Sequence, residues 1–280
     1  MKKILPPDVQ RSIFLSYAIV ACHFSWFWLP VWVLFYRRFT DFAGVGLLEA
    51  LTASVAGFGI LPAGILSDRI GKRTTLFLSG VVSTIGGIIT GFAGNATQVG
   101  IGVVVLSTGG TLFASSMEAF QYDTLKSQGF ERYFPHVLSR SVLIRMVVCG
   151  LSSILGGYLY TLDPRFPFFA VGVATAIGTV LSYWITEPPV DSQTIQMTSI
   201  AHQLSLGLAS IYHVSIRSAS LVLLAIGILL TADSSGFWDI QAVYYGLGSR
   251  ELGIVYTGVY VAMAAISLLY TRIAKRKTLH

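Results

Sequence analysis

This sequence has few charged residues and almost no cysteine. Only 11% of its 280 residues are charged and 54% are hydrophobic, whereas soluble domains carry about 25% charged residues. The shortage of charge excludes an ordinary water-soluble globule and makes an integral membrane protein the natural class. The two cysteines, Cys22 and Cys149, lie far apart inside apolar runs. They therefore predict core packing rather than a disulfide or a metal site.

Sequence patterns of enzymes and of nucleic-acid binding are also missing. The sequence contains no H-E-x-x-H, G-x-S-x-G or Walker A motif and no cluster of Cys and His ligands. The formal charge of +6 comes from short basic clusters between apolar runs. That pattern is typical of membrane orientation rather than of a DNA-binding surface. We therefore expect neither an enzyme nor a nucleic-acid partner, and no cofactor or metal ion.

Long apolar runs are what the sequence does contain. A spanning helix needs about 20 apolar residues, and eight runs qualify, at 12–36, 43–66, 74–93, 98–120, 141–162, 166–186, 218–237 and 251–271. A polar interruption at 187–217 carries an amphipathic pattern typical of a helix at the membrane surface. The predicted fold class is all-α, a polytopic bundle. It has six helices in 1–186, a linker at 187–217 and two helices in 218–280.

The basic residues predict how this bundle is oriented. With a cytoplasmic N-terminus, 14 of the 19 Lys and Arg residues fall on the inner side and 4 on the outer side. The positive-inside rule favours this arrangement over its reverse. Because the number of predicted spans is even, both termini are then cytoplasmic. We expect a multi-pass protein of the plasma (inner) membrane, with the lipid bilayer as its first partner.

One short stretch, GILSDRIGKR, lies between the second and third apolar runs. An ordinary positive-inside turn would explain its bases, but not its acid and both glycines together. The stretch resembles motif A of the major facilitator superfamily, of form G-x-x-x-D-R-x-G-R/K-R/K. Its positions are held by Gly64, Asp68, Arg69, Gly71, Lys72 and Arg73. We expect Gly64 to allow close helix approach, and Asp68 to have a partner such as a helix N-terminus or an arginine.

The resemblance implies a function as well as a fold. Members of the family resemble two six-helix bundles joined by a cytoplasmic loop, which alternate access to a site near the midplane. The chain would then carry a small solute, driven by an ion gradient (protons being one candidate) or by the solute's own gradient. Motif A would latch the cytoplasmic side in the outward-facing state.

The predicted number of spans departs from the family pattern. The family has twelve helices, and eight are predicted here. We therefore expect a fragment, or a truncated product that does not transport as it stands. The alternative function is a non-transporting membrane scaffold or sensor derived from a carrier.

Ionisable residues within the spans are costly in lipid and are therefore candidate functional groups. Glu118 and Arg145 lie near the inner ends of consecutive predicted helices, where they could pair. Such a pair would be a gate or proton-linked site, or else a structural contact. The surrounding E-A-x-x-Y-D-x-L pattern resembles that of a branch of the family and includes Asp123.

Other candidate cavity residues lie singly in the spans. They are His23 and Trp26 in the first, Glu49 in the second, Tyr122 in the fourth and Asp233 in the seventh. Each has a structural alternative, such as a hydrogen bond to a neighbouring helix, a lipid-facing ring or a helix cap. The exporter pattern G-x-x-x-G-P-x-x-G-G survives only as Gly156 and Gly157. The direction of transport and the substrate therefore stay open.

Overall fold

The computed structural model describes residues 5–187 and 236–277, with side chains as far as residue 268. The helices in these ranges are α1 Pro7–His23, α2 Trp32–Tyr36, α3 Phe42–Ile70, α4 Lys72–Phe92, α5 Ala96–Lys126, α6 Phe134–Leu162, α7 Phe166–Tyr183, α8 Trp238–Tyr244 and α9 Ser249–Lys277, with a 3-10 turn at Glu131–Tyr133. Six helices in the described part are long and apolar enough to cross a membrane. The predicted all-α membrane bundle is confirmed.

Six of the predicted spans correspond to observed helices. Helices α3 to α7 match the second to sixth spans, and α9 matches the eighth. The seventh span, Asp233 and the amphipathic helix of the linker lie outside the described residues. The division into two bundles joined by a linker therefore stays a prediction.

The prediction of one continuous first span is wrong. The segment 24–31, which we call the α1–α2 break, separates two helices. Pro30 lies in it, and a proline inside a helix removes one hydrogen bond and clashes with the preceding turn. Short-range bonds replace the helical ladder: the Trp26 amide donates to the Phe24 carbonyl at 2.8 Å, and the Leu29 amide donates to the Trp26 carbonyl at 3.1 Å.

Short turns give the bundle two ends, which we call the Gly71 end and the Asp41 end after the residues that begin or end α3. Helix α3 ends at Ile70 and α4 begins at Lys72, so a single residue reverses the chain. Gly71 has φ +91°, a conformation that L side chains rarely adopt. At the other end, the Asp41 side chain accepts a hydrogen bond from the Gly44 amide at 2.9 Å and caps α3.

Small residues let α6 approach two neighbours closely. A Cβ atom at Gly156 would lie 2.7 Å from the carbonyl carbon of Phe27, in the α1–α2 break. On the side facing α9, a Cβ at Gly157 would lie 3.4 Å from the Cα of Gly253, and the Thr257 hydroxyl donates to the Gly150 carbonyl at 2.8 Å. This is the small-residue packing typical of helices in membranes.

We predict that Gly156→Ala lowers the free energy of unfolding by about 1–3 kcal/mol, because the added methyl group overlaps a backbone carbonyl that cannot move independently. Gly57→Ala is the matched control, since a Cβ there has nothing within 4 Å. The control should be neutral or slightly stabilising, because alanine favours the helix over glycine. Thermal unfolding in detergent measures both, and an unchanged Gly156→Ala variant would contradict the close contact.

Candidate functional site

A cavity of about 450 Å³ lies within the bundle. Its wall is mainly apolar, and side chains of α1 and of α3 to α7 contribute to it, together with the α1–α2 break. Aromatic rings form part of the wall, namely His23, Phe24, Trp26, Trp28 and Phe113. The rings of His23 and Phe113 stack with centroids 3.7 Å apart and planes 2° apart. The size is typical of a small-molecule site.

The α1–α2 break explains why so many aromatic side chains reach this cavity. Phe24, Trp26 and Trp28 alternate along the chain, and residues two apart do not share a helix face. In the irregular segment all three line the cavity. Neighbouring rings contact one another, with centroids 5.0 Å apart for Phe24 and Trp26 and 5.8 Å for Trp26 and Trp28.

Glu118 and Arg145 both line the cavity, but the ion pair expected between them is not formed. The salt bridges among the described residues join Lys72 to Asp68 and to Asp123. Arg145 instead places its guanidinium 5.2 Å from the centre of the Phe24 ring, in a cation–π contact. Each of the two charges therefore faces the cavity rather than the other.

A buried amide beside this cavity was not singled out from the sequence. The Gln121 side chain donates to the hydroxyls of Ser16 at 3.0 Å and Ser141 at 2.8 Å, which joins α5 to α1 and α6. Gln121 and Ser141 line the cavity. The signal was present in the sequence, because Gln121 lies three residues after Glu118 and so shares its helix face.

A second group of charges lies at the Gly71 end, where the two motifs meet. The Lys72 ammonium lies 2.8 Å from the Asp123 carboxylate and 3.7 Å from that of Asp68. The Lys72 side chain is 10% exposed, against 50% for Asp68. Asp123 is thus the main partner of a buried cation, and the partner of Asp68 is a lysine rather than an arginine or a helix N-terminus.

The start of α4 is capped by a residue that sequence reasoning missed. The Glu187 carboxylate accepts hydrogen bonds from the amides of Lys72 at 2.7 Å and Arg73 at 2.8 Å, where the helix dipole favours an anion. A Cβ at Gly71 would lie 2.9 Å from the carboxyl carbon of Glu187. Arg73 also donates to the Tyr183 carbonyl at 2.6 Å. These contacts tie the end of α7 to the motif A turn.

Two further expectations about the predicted site residues need correction. Gly64 does not provide a close helix approach among the described residues, because a Cβ there has nothing within 4 Å. Tyr122 does not line the cavity; its ring packs on Phe134 with centroids 5.2 Å apart. Arg69 is exposed.

Glu49 also lies away from the cavity lining, although Thr52 of the same helix belongs to it. Glu49 is instead close enough to Asp239 for the two carboxyl groups to interact electrostatically. Of the residues predicted to line the cavity, the structure places His23 and Trp26 in the lining and Glu49 outside it.

Asp239 forms a buried polar junction at the Asp41 end. Its carboxylate accepts from the indole nitrogen of Trp32 at 2.9 Å and from the Tyr256 hydroxyl at 2.7 Å. Asp239 and Trp32 are each 4% exposed. The junction joins α2, α8 and α9, so it links the first bundle to the C-terminal part of the described chain. No sequence motif contains these three residues, and only the tertiary structure brings them together.

The described part of the chain is an apolar helical membrane bundle around a cavity lined by aromatic and charged side chains. Residues 13–279 match the sequence profile of the Major Facilitator Superfamily, and the chain belongs to this family. It is 23% identical over 265 residues to an uncharacterized MFS-type transporter, YxaM, of Bacillus subtilis strain 168. That match covers 92% of this chain and 65% of the length of YxaM, so the chain spans about two thirds of this relative.

We predict that Asp123→Asn lowers the free energy of unfolding by about 3 kcal/mol, because it leaves the buried Lys72 ammonium without its main partner. Asp68→Asn is the comparison and should cost less than about 1 kcal/mol, since that carboxylate is half exposed. Replacing both members of the buried pair, Lys72→Met with Asp123→Leu, should recover most of the loss. Denaturant titration in detergent measures all three, and equal losses for the two single variants would contradict the assignment.

We also predict that Asp239→Ala destabilises the protein more than Asp239→Asn. Alanine leaves the Trp32 and Tyr256 donors buried without an acceptor, and each such donor lowers the free energy of unfolding by about 1–3 kcal/mol. Asparagine keeps one acceptor oxygen. Asp163→Ala is the control, because its carboxylate accepts only a local and exposed hydrogen bond from the Arg165 amide. Unfolding midpoints in detergent give the order, and equal midpoints for Asp239→Ala and Asp163→Ala would disprove the junction.

Proposed function

We propose that this protein carries a small solute across the bilayer by alternating access, as a secondary active or facilitated transporter. The observation that carries the proposal is the cavity, where a carboxylate, a guanidinium and several aromatic rings meet inside an apolar bundle. Ionisable groups inside a membrane protein mark solute or ion pathways. Family membership supports a transporter in general, and the cavity supports a solute site at this place in the chain.

Motif A is proposed as a latch that controls the Gly71 end. The described partners of its charged residues are Asp123 on α5, and Tyr183 and Glu187 at the end of α7. These contacts bind the ends of α3, α4, α5 and α7 into one unit, which could then move as a rigid body against a second bundle. Asp123 belongs to this latch, whereas Glu118 and Arg145 are the candidates for contact with the solute or a coupled proton.

The Gly71 end is proposed to face the cytoplasm. The three bases of motif A lie there, and the distribution of Lys and Arg along the sequence favours this side. Both termini would then be cytoplasmic, and the plasma (inner) membrane is the proposed location. Energy would come from an ion gradient or from the gradient of the solute.

Site-directed cysteine labelling tests alternating access without knowledge of the substrate. In a Cys22→Ala, Cys149→Ala background, Gly110→Cys places one thiol at the cavity, where a Cβ has nothing within 4 Å. We predict that a membrane-impermeant maleimide labels it from either side of sealed vesicles, because the cavity opens to each side in turn.

Two exposed positions serve as topological markers for the same experiment. Ser127→Cys lies at the Gly71 end and Thr97→Cys at the Asp41 end, and each should be labelled from one side, the cytoplasmic and the outer side respectively. Markers labelled from the same side would disprove the proposed orientation. Labelling of the cavity thiol from one side alone would favour the non-transporting scaffold or sensor.

A further inference from the structure

Two charges of opposite sign line one cavity and do not neutralise each other. Glu118 projects from α5 and Arg145 from α6. Among the described residues, the salt bridges lie at the Gly71 end and include neither of them. Both side chains are exposed rather than buried, so both are accessible to a solute that enters the cavity. A solute that carries both a cationic and an anionic group would satisfy the two charges at once.

The position of Arg145 is defined by an aromatic contact. Its guanidinium lies 5.2 Å from the centre of the Phe24 ring, and a guanidinium binds a carboxylate through a bidentate pair of hydrogen bonds. On the facing helix, Glu118 is an acceptor for an ammonium group. The cavity therefore has a distinct place for each end of a dipolar molecule.

The remaining lining residues of the cavity favour a solute with a particular kind of apolar group. The rings of Phe24, Trp26, Trp28 and Phe113 form an aromatic surface, and flat apolar groups stack on such surfaces. A volume of about 450 Å³ accepts one small molecule rather than a polymer. Ser83 adds a hydroxyl that is 1% exposed and has no hydrogen-bond partner among the described residues, although it lines the cavity.

We infer that the solute is an amphipathic zwitterion with an aromatic or similarly flat apolar body, of the amino-acid type. Arg145 binds its anionic group, Glu118 binds its ammonium group, and the aromatic wall packs on its body. The inference rests on the proposed transport function and names the substrate class of that same cavity. Its competitors are a solute with a single negative charge and a solute with a single positive charge.

Three probes of nearly equal size separate these classes. L-phenylalanine carries both charges, 3-phenylpropionate carries the negative charge alone, and 2-phenylethylamine carries the positive charge alone. Their binding to the purified chain in lipid nanodiscs can be followed by intrinsic tryptophan fluorescence, since Trp26 and Trp28 line the cavity. We expect L-phenylalanine to bind at least about tenfold more tightly than either other probe, because only it satisfies both charges.

Variants of Glu118 and Arg145 test which of the two residues binds each charged group of the solute. Glu118→Gln should weaken the binding of L-phenylalanine and of 2-phenylethylamine about tenfold and leave the binding of 3-phenylpropionate unchanged. Arg145→Gln should weaken the binding of L-phenylalanine and of 3-phenylpropionate and leave the binding of 2-phenylethylamine unchanged. Should Arg145→Gln not fold, Arg145→Lys keeps the charge without the bidentate geometry and should weaken the same two probes less.

Arg250→Gln and Glu251→Gln are the matched controls. Arg250 makes the same kind of contact as Arg145, 5.3 Å from the centre of the Tyr158 ring, but neither control residue lines the cavity. Both controls should bind all three probes like the unchanged protein. Equal affinity for a singly charged probe, or no binding of any probe, would overturn the zwitterion inference. Neither result would affect the labelling of Gly110→Cys, which tests transport separately.

Discussion

A polar group inside a bilayer must find its partner within the protein, because hydrocarbon offers none. Much of this structure follows from that constraint. At the two ends of the bundle, burial within the protein imposes the same need: the Lys72 ammonium has Asp123, the Asp239 carboxylate has Trp32 and Tyr256, and the start of α4 has Glu187. Each partner comes from a different helix or from beyond a helix end. The polar contacts therefore fix the arrangement of helices that apolar packing alone would leave free to rotate.

The cavity is where this constraint is met least. Glu118 and Arg145 line it without a salt bridge between them, and in the α1–α2 break beside it short-range hydrogen bonds replace the helical ladder. Irregular backbone at membrane depth is tolerated where protein encloses it or where it lines a cavity. The break meets both conditions, since its Phe27 carbonyl packs on Gly156 of α6 and its aromatic side chains face the cavity. The cavity therefore combines an irregular backbone segment with accessible charged side chains.

The sequence predicted the helices better than the site, for physical reasons. Apolar runs of about 20 residues and the turn glycine Gly71 act locally, so α3 to α7 and the reversal before Lys72 could be read directly. The break at Pro30 was not predicted, because the apolar run continues through it and the contact of Gly156 with Phe27 is a tertiary one. Glu118 and Arg145 lie near the same ends of two consecutive predicted helices, and this similar depth in the membrane predicted a contact between them. Depth alone does not determine the rotation of a helix about its axis, and the guanidinium packs on Phe24 instead.

By itself, then, the sequence determined that this is a multi-pass helical membrane protein. It also determined that motif A lies in a turn at one end of the helical bundle. Hydropathy and turn chemistry suffice for this because they depend on neighbours along the chain. Only the tertiary structure decided that Lys72 would join motif A to Asp123, that Glu187 would cap α4, and that Asp239 would meet Trp32 and Tyr256. The partners of Asp239 are 207 and 17 residues away in the chain, and no local pattern can record which distant side chain packing will bring within hydrogen-bond reach.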